Sequence, residues 1–572
     1  MSSKSSSVCL YLLLLLLVSG TRTAVSHWIV KTLPGFPGEL PFKLETGYIS
    51  VGEGEFFYYF VESEGNPRAD PLLLYINGGP GCSALNGFLY QIASPRSDPR
   101  QTLIPLKLPK NPSPAWLGAV MAETRRVREE GNWVCLEDAN VKVGEFVGRA
   151  KEEVSKGRGE LERFWTELLP EFVSWNRWER WKLVVSVHTS TDKDSSYEGP
   201  LKFNIADYTG GLPTLIYEPN TWTKTANVLF LDAPVGGGFS YATISEAWSA
   251  SDTKVAAQAY EFLRNWLIEH SDFMNNPVYL GSDSYQGVVT PILAQDIING
   301  NEAGIEPQVN IKGLSLGCPH TNSVLEDNTR VIFAHRMGLI SDAMYKSAKT
   351  SCNGNYIDST NANCTEAVAS ISQCIEQVNE ADILGPNCAF ISPKPKEGAQ
   401  GFLNENSRDF ILPWSRNGDF WCKNFDYILF DIWINYKSVQ GALHVRPGTV
   451  KEVFRCNITL TSEYSYNVKD AIPYHKNLTN SGLQILVFSG DHDMSVTHIA
   501  VEQWINSLDL TIDTEWRPWF VDGQVAGYTR KYTNSGYRLT YATIKGAGHS
   551  PTEYKRKECY DMFHRWIHYY PL

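Results

Sequence analysis

The sequence lacks a long apolar run beyond residue 18, and no later segment is uncharged for long enough to cross a membrane as a helix. It also lacks an excess of positive charge, because 51 Lys and Arg residues face 63 Asp and Glu residues, giving a formal net charge of −12. An acidic surface argues against nucleic acid and anionic membranes as partners. No cluster of metal-ligating residues is apparent, so no metal site is expected.

The single apolar stretch near the start has the features of a secretory signal. It runs from Val8 to Val18, which is too short to span a hydrocarbon core of about 30 Å, and a lysine precedes it. Ala24 and Ser26 then supply the small-x-small pattern of a cleavage site. We therefore expect residues 1–26 to be a signal peptide and the mature chain to begin near His27.

The cysteine content and three sequons suit an exported glycoprotein. Of eleven cysteines, Cys9 lies in the expected signal, and ten remain in a compartment where disulfides persist. Three Asn-x-Ser/Thr triplets are candidate glycosylation sites, at Asn363, Asn457 and Asn477.

Six short runs of apolar, β-branched and aromatic residues end at Gly, Asp or Asn. Unbroken apolar runs of this length suit strands that are buried on both faces of a parallel sheet. Between two of them, residues 252–270 carry apolar side chains at helical spacing, which indicates an α/β sheet. The predicted strands are Pro71 to Asn77, Ala226 to Asp232, Pro277 to Gly281, Val309 to Gly317, Leu483 to Gly490 and Leu539 to Gly546.

Two regions interrupt the alternation of strands and helices. Residues of about 318–435 contain helical patterns, Pro- and Gly-rich loops and a crowd of cysteines, so we expect a disulfide-stapled lid between two strands. Residues 93–198 are rich in Arg, Glu and Trp and offer no readable core pattern.

A strand that turns sharply into a helix surrounds Ser284, in the segment Val278 to Gly287. Such a turn holds a serine hydroxyl clear of the sheet at the positive end of a helix, as in a nucleophile elbow. Ser282 and Gln286 occupy positions where the G-x-S-x-G pattern has small residues, so an ordinary strand-helix turn is the alternative interpretation.

A glycine-rich turn from Asn77 to Ser83 follows the first predicted strand and leaves backbone N–H groups free. Acyl transfer needs at least two such donors aimed at the developing oxyanion. The amides of Gly79 and of Tyr285, the residue after the serine, are the candidates.

Two further strands deliver polar residues at their C-terminal ends, where α/β sheets place functional groups. The first ends at Asp491 and Asp493, and the second leads into a glycine loop with His549 at its tip. Each alone would more often be a structural residue, but the order Ser, Asp, His is that of the α/β-hydrolase triad.

Together these motifs resemble the plant serine carboxypeptidase-like family, peptidase family S10, as do residues 232–241 and 557–566. The resemblance implies an α/β-hydrolase fold, with a mostly parallel central sheet, helices on both faces and an inserted lid. It makes Ser284 the nucleophile, His549 the general base and Asp493, rather than Asp491, the orienting acid. The disulfides that it implies are Cys82 with Cys422, Cys352 with Cys364, and Cys374 with Cys388.

The family contains carboxypeptidases and acyltransferases, and four positions bear on the choice. Family peptidases bind the substrate carboxyl with an Asn and two Glu side chains beside a Trp. Here Asn77 remains, Tyr75 stands for the Trp, and Gln91 and Asp283 stand for the two Glu residues. The resemblance thus implies transfer of an acyl group from a 1-O-acyl-β-glucose to an acceptor through an acyl-serine, without a cofactor.

Two alternatives remain open at this point: a carboxypeptidase that releases C-terminal residues, and a catalytically impaired member of the family. The second rests on departures from the family pattern near the site, at Ser282, Gln286, Cys318, Thr497 and Pro551-Thr552.

The resemblance also bears on the domain organisation and the compartment. Without residues 93–198 the flanking segments would join into a family-like sequence, so we interpret this block as a possible retained intron within one domain spanning 27–572. The vacuole or the extracellular space is the expected location.

Overall fold

The computed structural model describes residues 27–91, 201–204, 208, 210–218, 220–357, 360–386 and 424–572, with only the backbone given for Gln91 and for 424–426. The expected signal peptide, the block 93–198, Cys388 and Cys422 lie outside the described residues. Predictions on those segments therefore stay predictions.

A twelve-stranded sheet is the centre of the fold, in the order β1-β2-β3-β7-β4-β9-β10-β11-β14-β13-β12, with β8 paired to β3. The six central strands, β7, β4, β9, β10, β11 and β14, run parallel to one another. The strands on either side of them pair antiparallel. The strands are β1 His27–Val30, β2 Leu44–Val51, β3 Gly54–Val61, β4 Leu72–Ile76, β7 Asn227–Leu231, β8 Tyr241–Ala242, β9 Val278–Asp283, β10 Ile311–Gly317, β11 Gln484–Gly490, β12 Thr511–Val521, β13 Gln524–Asn534 and β14 Tyr537–Ile544. A separate hairpin pairs β5 Leu201–Phe203 with β6 Leu215–Tyr217.

Helices connect the strands and cover the sheet. Ser251 caps the first of them by accepting a hydrogen bond from the amide of Lys254. The described helices are α1 Asp252–Glu269, α2 Gln286–Glu302, α3 Ser323–Arg336, α4 Asp342–Cys352, α5 Ala362–Ile375, α6 Asn424–Ile434, α7 Lys437–Ala442, α8 Ile458–Glu463, α9 Ile472–Leu478, α10 His498–Asn506 and α11 Arg556–Ile567.

Both faces of the sheet are buried. Along β4, Leu72, Leu74 and Ile76 belong to one hydrophobic cluster, while Leu73 and Tyr75 belong to the other. This alternation places one cluster on each face of the sheet. The expected α/β-hydrolase fold, with a parallel centre and helices on both faces, is confirmed.

The six predicted strands are β4, β7, β9, β10, β11 and β14, which form the parallel centre. The antiparallel strands at the two sides were not predicted. β12, for example, reads Thr511–Val521 with mostly exposed or half-buried residues, so it lacks the unbroken apolar run of a strand buried on both faces.

Between β10 and β11 the described chain is helical, from α3 to α9. The expected lid at about 318–435 falls within this stretch, and its function as a lid stays a prediction. In the part of the chain that the structure describes, none of the helices combines the length and apolar character of a membrane span.

Candidate active site

Ser284 lies on the sharp turn between β9 and α2, with φ at 52°. Left-handed backbone is uncommon for a residue other than glycine and is frequent at functional turns. Gly78 permits a close approach, since a Cβ there would lie 2.7 Å from Ser284 Cβ and from the carbonyl oxygen of Asp283. The glycine-rich turn therefore packs directly against the elbow.

The three predicted triad residues come together at the C-terminal ends of β9, β11 and β14. His549 Nε2 lies 2.7 Å from Ser284 Oγ, and His549 Nδ1 lies 2.8 Å from Asp493 Oδ2. The other oxygen of Asp493 accepts hydrogen bonds from the amides of Ser495 and Val496. Asp493 is fully buried and held as an acceptor by both oxygens.

Asp491, which the sequence analysis did not assign as the orienting acid, has a different role. Its Oδ1 accepts a hydrogen bond of 2.7 Å from the amide of Gly546, so it fixes the loop that leads to His549. The structure therefore joins the second acid of the Asp-x-Asp pair to the histidine.

Several carboxylates set the protonation of His549. Burial lowers its pKa, but the charge and hydrogen bond of Asp493 and the charges of Asp283 and Glu553 raise it, to about 9. A base at this position must be neutral to take a proton from the serine. Removal of the proton from Ser284 should therefore become more efficient as the pH rises towards that pKa.

The expected oxyanion donors flank Ser284. Among the described residues, the amides of Gly79 and Tyr285 donate no hydrogen bond, so both are free for a substrate oxygen. Asp232 supports the turn on the Gly79 side by accepting hydrogen bonds from the hydroxyl of Ser83 and the amide of Ala84. The Tyr285 hydroxyl donates to Asp252 at the start of α1.

Of the four expected substrate-binding residues, three lie together beneath the elbow. Asp283 Oδ1 accepts from the amide of Gly78 at 2.7 Å and from the hydroxyl of Tyr75 at 3.4 Å, and its Oδ2 accepts from Ser550 at 2.7 Å. Asn77 accepts from Asn86.

Asp283 is only 5% exposed, and both of its carboxylate oxygens accept hydrogen bonds from other residues of the protein. The side chain of Gln91 lies outside the described residues. Substrate binding by this group of residues stays a prediction.

The departures at the elbow are accommodated differently. Ser282 Oγ accepts a hydrogen bond of 2.8 Å from the hydroxyl of Thr290 on α2. Gln286 is 1% exposed, and its Oε1 has no hydrogen-bond partner among the described residues. The first substitution is satisfied, whereas the second leaves a buried acceptor unpaired, which is unfavourable.

Cys318 and Thr497 are the departures near the acid, and the Cys318 thiol lies beside Asp493. Burial and the neighbouring carboxylate of Asp493 raise the pKa of the Cys318 thiol well above its usual value, so the thiol stays protonated. Thr497 caps α10 through the amide of Ala500 and bonds to the hydroxyl of Thr329. Cys318, Asp493 and His549 are close enough to hold a metal ion.

Two residues of the site were missed from the sequence. Ser550 donates to Asp283, and Glu553 accepts from the hydroxyl of Tyr427 at 2.7 Å while its charge acts on His549. Both follow His549 within four positions, and this proximity was the only available signal.

The expected disulfides are partly wrong. The Cys352–Cys364 bridge is formed, but Cys82 pairs with Cys456 instead of Cys422. Backbone pairing explains the change, because Ser83 donates to the carbonyl of Arg455 and aligns the two cysteines. The expected partner of Cys374, Cys388, lies outside the described residues, so the Cys374–Cys388 bridge stays a prediction.

The three expected glycosylation sites differ in accessibility. Asn363 on α5 and Asn477 on α9 are exposed. Asn457 is half-buried, and its side chain donates to the carbonyl of Gly236 and accepts from the amide of Leu460. The first two are the more accessible to a glycan.

The sequence model described as serine carboxypeptidase, Peptidase_S10, matches residues 34–104 and 195–569. The chain belongs to the serine carboxypeptidase family. Family and fold together make it a serine-dependent hydrolase or acyltransferase. The match leaves out most of the block 93–198, whose interpretation as a retained intron stays a prediction.

Relatives from Arabidopsis thaliana align with this chain over nearly its whole length. Serine carboxypeptidase-like 7 is 34% identical and is covered over 99% of both chains, and serine carboxypeptidase-like 16 is 35% identical over 97% of both. Among solved structures, Kex1(delta)p, a prohormone-processing carboxypeptidase from Saccharomyces cerevisiae, aligns with a TM-score of 0.59 at 14% identity, over 95% of both chains. At this identity the likeness supports the fold alone.

Proposed function

We propose that the protein is an acyltransferase that moves an acyl group from a 1-O-acyl-β-glucose to an acceptor hydroxyl or amine. The proposal places the reaction at Ser284, with His549 as the general base and Asp493 as the residue that orients it. It also places the protein in the secretory pathway, in the vacuole or outside the cell, in keeping with the two disulfides among the described residues.

The state of Asp283 is the observation that supports transfer over peptide hydrolysis. A carboxypeptidase of this family needs a carboxyl group that can share a proton with the substrate's C-terminal carboxylate. Both oxygens of Asp283 instead accept hydrogen bonds from Gly78 and Ser550, and the side chain is nearly inaccessible. Tyr75, in place of the Trp, contributes a further bond to the same oxygen as Gly78.

The first half of the reaction forms the acyl-enzyme. Ser284 Oγ attacks the ester carbonyl as its proton passes to His549 Nε2, 2.7 Å away. The amides of Gly79 and Tyr285 would bind the oxyanion. When the bond between the acyl carbon and the sugar oxygen breaks, His549 returns the proton to that oxygen and glucose leaves.

The second half transfers the acyl group. His549, neutral again, takes the proton of the acceptor hydroxyl or amine as that group attacks the acyl-serine. The bond between the acyl carbon and Ser284 Oγ breaks, and His549 returns the proton to Oγ. Asp493 keeps Nδ1 of the imidazole protonated throughout, and no metal or organic cofactor takes part.

The test is incubation of the purified protein with a 1-O-acyl-β-glucose and a pool of alcohols and amines, followed by mass spectrometry. We expect an acylated acceptor and free glucose, and a fall of about 10⁴-fold or more in kcat for Ser284→Ala. Ser282→Ala, which removes a neighbouring buried hydroxyl, is the matched control and should retain transfer.

The other outcomes separate the alternatives. Release of a C-terminal residue from a blocked dipeptide, without acyl transfer, would show a carboxypeptidase. Failure of an active-site phosphonate to label Ser284 would identify an impaired member of the family. Formation of free acid alone from the acylglucose would also overturn the proposed transferase.

A further inference from the structure

Three side chains that are distant in sequence meet on the first strands of the sheet. They are His27 on β1, Glu45 on β2 and His270 directly after α1, and one nitrogen or oxygen atom of each lies within 4.8 Å of the other two. β1 and β2 are antiparallel with His27 opposite Gly47, which makes His27 and Glu45 diagonal neighbours on one face.

His270 is held in the orientation of a metal ligand. Its Nδ1 lies 2.9 Å from the carbonyl oxygen of Trp266, which can only accept, so Nδ1 carries a proton. The imidazole also stacks on the Trp266 ring, with 4.1 Å between centroids. Metal-binding histidines are typically oriented by such a bond from the other ring nitrogen, which leaves Nε2 facing the ion.

Glu45 offers a charged and oriented carboxylate. Its Oε1 accepts from the hydroxyl of Tyr58 at 2.8 Å and lies 2.7 Å from His270 Nε2. The side chains of His270 and Glu45 are 8% and 7% exposed.

His27 supplies an unsatisfied nitrogen. Its Nδ1 is buried and has no hydrogen-bond partner among the described residues, although its ring lies only 5.1 Å from that of His270. An unpaired buried nitrogen is unfavourable, and a bound cation would satisfy it.

We propose that His27, Glu45 and His270 form a binding site for a divalent transition-metal ion, with Zn²⁺ as the best match. Two imidazole nitrogens and one carboxylate oxygen are a set that Zn²⁺ binds, at about 2.0–2.2 Å. Because His27 is half-buried, a water molecule can take the fourth position.

The ion would fasten the edge strand β1 to β2 and to the end of α1. Three strands, β3, β7 and β4, separate β2 from the strand that leads to Ser284, so the role is structural and independent of acyl transfer.

The experiment uses the full chain without a polyhistidine tag, stripped with a chelator and titrated with Zn²⁺ by calorimetry at pH 7.5. We expect one tightly bound equivalent and a weakening of at least about tenfold for His27→Ala. Glu45→Gln, which retains the shape and the acceptor for Tyr58, should weaken binding similarly. His335→Ala is the control, because this histidine pairs with the exposed Asp342 and belongs to no three-ligand group in the described part of the chain.

X-ray absorption of the zinc-loaded protein locates the ion. We expect nitrogen and oxygen neighbours with imidazole scattering and no sulfur. A sulfur neighbour would place the ion on a cysteine, for example at Cys318, Asp493 and His549, and would overturn the proposal. Absence of binding, or equal binding by the wild type and His27→Ala, would leave the pair of His270 and Glu45 as a plain ion pair and would also overturn it.

Discussion

The candidate site has an acid-base half, formed by Asp493 and His549, and a nucleophile half, formed by the elbow around Ser284. The two halves differ in how completely their polar groups are hydrogen-bonded. In the first, both oxygens of Asp493 have donors, and His549 bonds through both ring nitrogens. In the second, Ser284 occupies a left-handed turn, and two residues later Gln286 buries an acceptor without a partner.

This difference separates two kinds of departure from the family pattern. A hydroxyl such as that of Thr497 or Ser282 is short and finds a hydrogen bond on the nearest element. The longer Gln286 amide reaches a place where nothing described donates to its oxygen. The elbow is therefore the half in which small displacements should matter more.

Among the variants that compare the two halves without removing a triad residue, Gly78→Ala should have the largest effect. The added methyl group would lie 2.7 Å from Ser284 Cβ and from the carbonyl oxygen of Asp283, so the oxyanion turn must move. A displacement of about 1 Å costs about 100-fold in kcat/KM, which can be measured with a chromogenic ester. The control is Gly482→Ala, where a Cβ meets no atom within 4 Å. Equal activities of the two variants would show that the turn is not tightly fitted to the elbow.

The next effect concerns the acid-base half and is read from a pH profile. With the pKa of His549 at about 9, kcat/KM of the wild type should rise with pH towards that value. Asp283→Asn removes one of the charges that raise this pKa, so its profile should rise at lower pH. Asn still offers an oxygen to the Gly78 amide, which preserves the turn. An unshifted profile would show that Asp283 does not act on His549.

The same pKa has a consequence for stability. The folded value of about 9 lies above the unfolded value of 6.5, so the charged His549 stabilises the fold fully below pH 6.5. This contribution is lost as the pH rises through 9. The free energy of unfolding should fall less over this interval in Asp283→Asn than in the wild type.

The smallest effect is expected from Gln286→Met. This change keeps the length of the side chain and removes the unpaired acceptor, so it should raise the free energy of unfolding by about 1 kcal/mol in a urea titration. Gln295→Met, on the same helix but bonded to Asn299 near the surface, should stay within about 0.5 kcal/mol of the wild type. A loss of stability in Gln286→Met would mean that the amide is satisfied.

The sequence was most informative where local pattern and function coincide. The six parallel strands were predicted because each is an unbroken apolar run, as in Leu483 to Gly490, and the elbow and glycine turn were found at strand ends. The outer antiparallel strands were missed because half-exposed strands such as β12 mix charged and apolar residues.

Within the site, Ser284, Asp493 and His549 could be predicted from the sequence because each lies shortly after the end of a predicted strand. The roles of Ser550 and Glu553 were not, since nothing in the local pattern distinguishes them from loop residues. The expected partner of Cys82 was wrong because strand-like pairing of residues 82 and 456, rather than position along the chain, decides which thiols meet.

The sequence by itself determined the class of fold, the family and the three residues Ser284, Asp493 and His549 that the structure brings into hydrogen-bond contact, because these depend on runs and turns of neighbouring residues. Only the tertiary structure decided that Asp283 is tied to Gly78 and Ser550, that carboxylates surround His549, and that His27, Glu45 and His270 share one place. These properties arise from burial and from charges and hydrogen bonds between residues far apart in the chain, so only the folded arrangement brings them about.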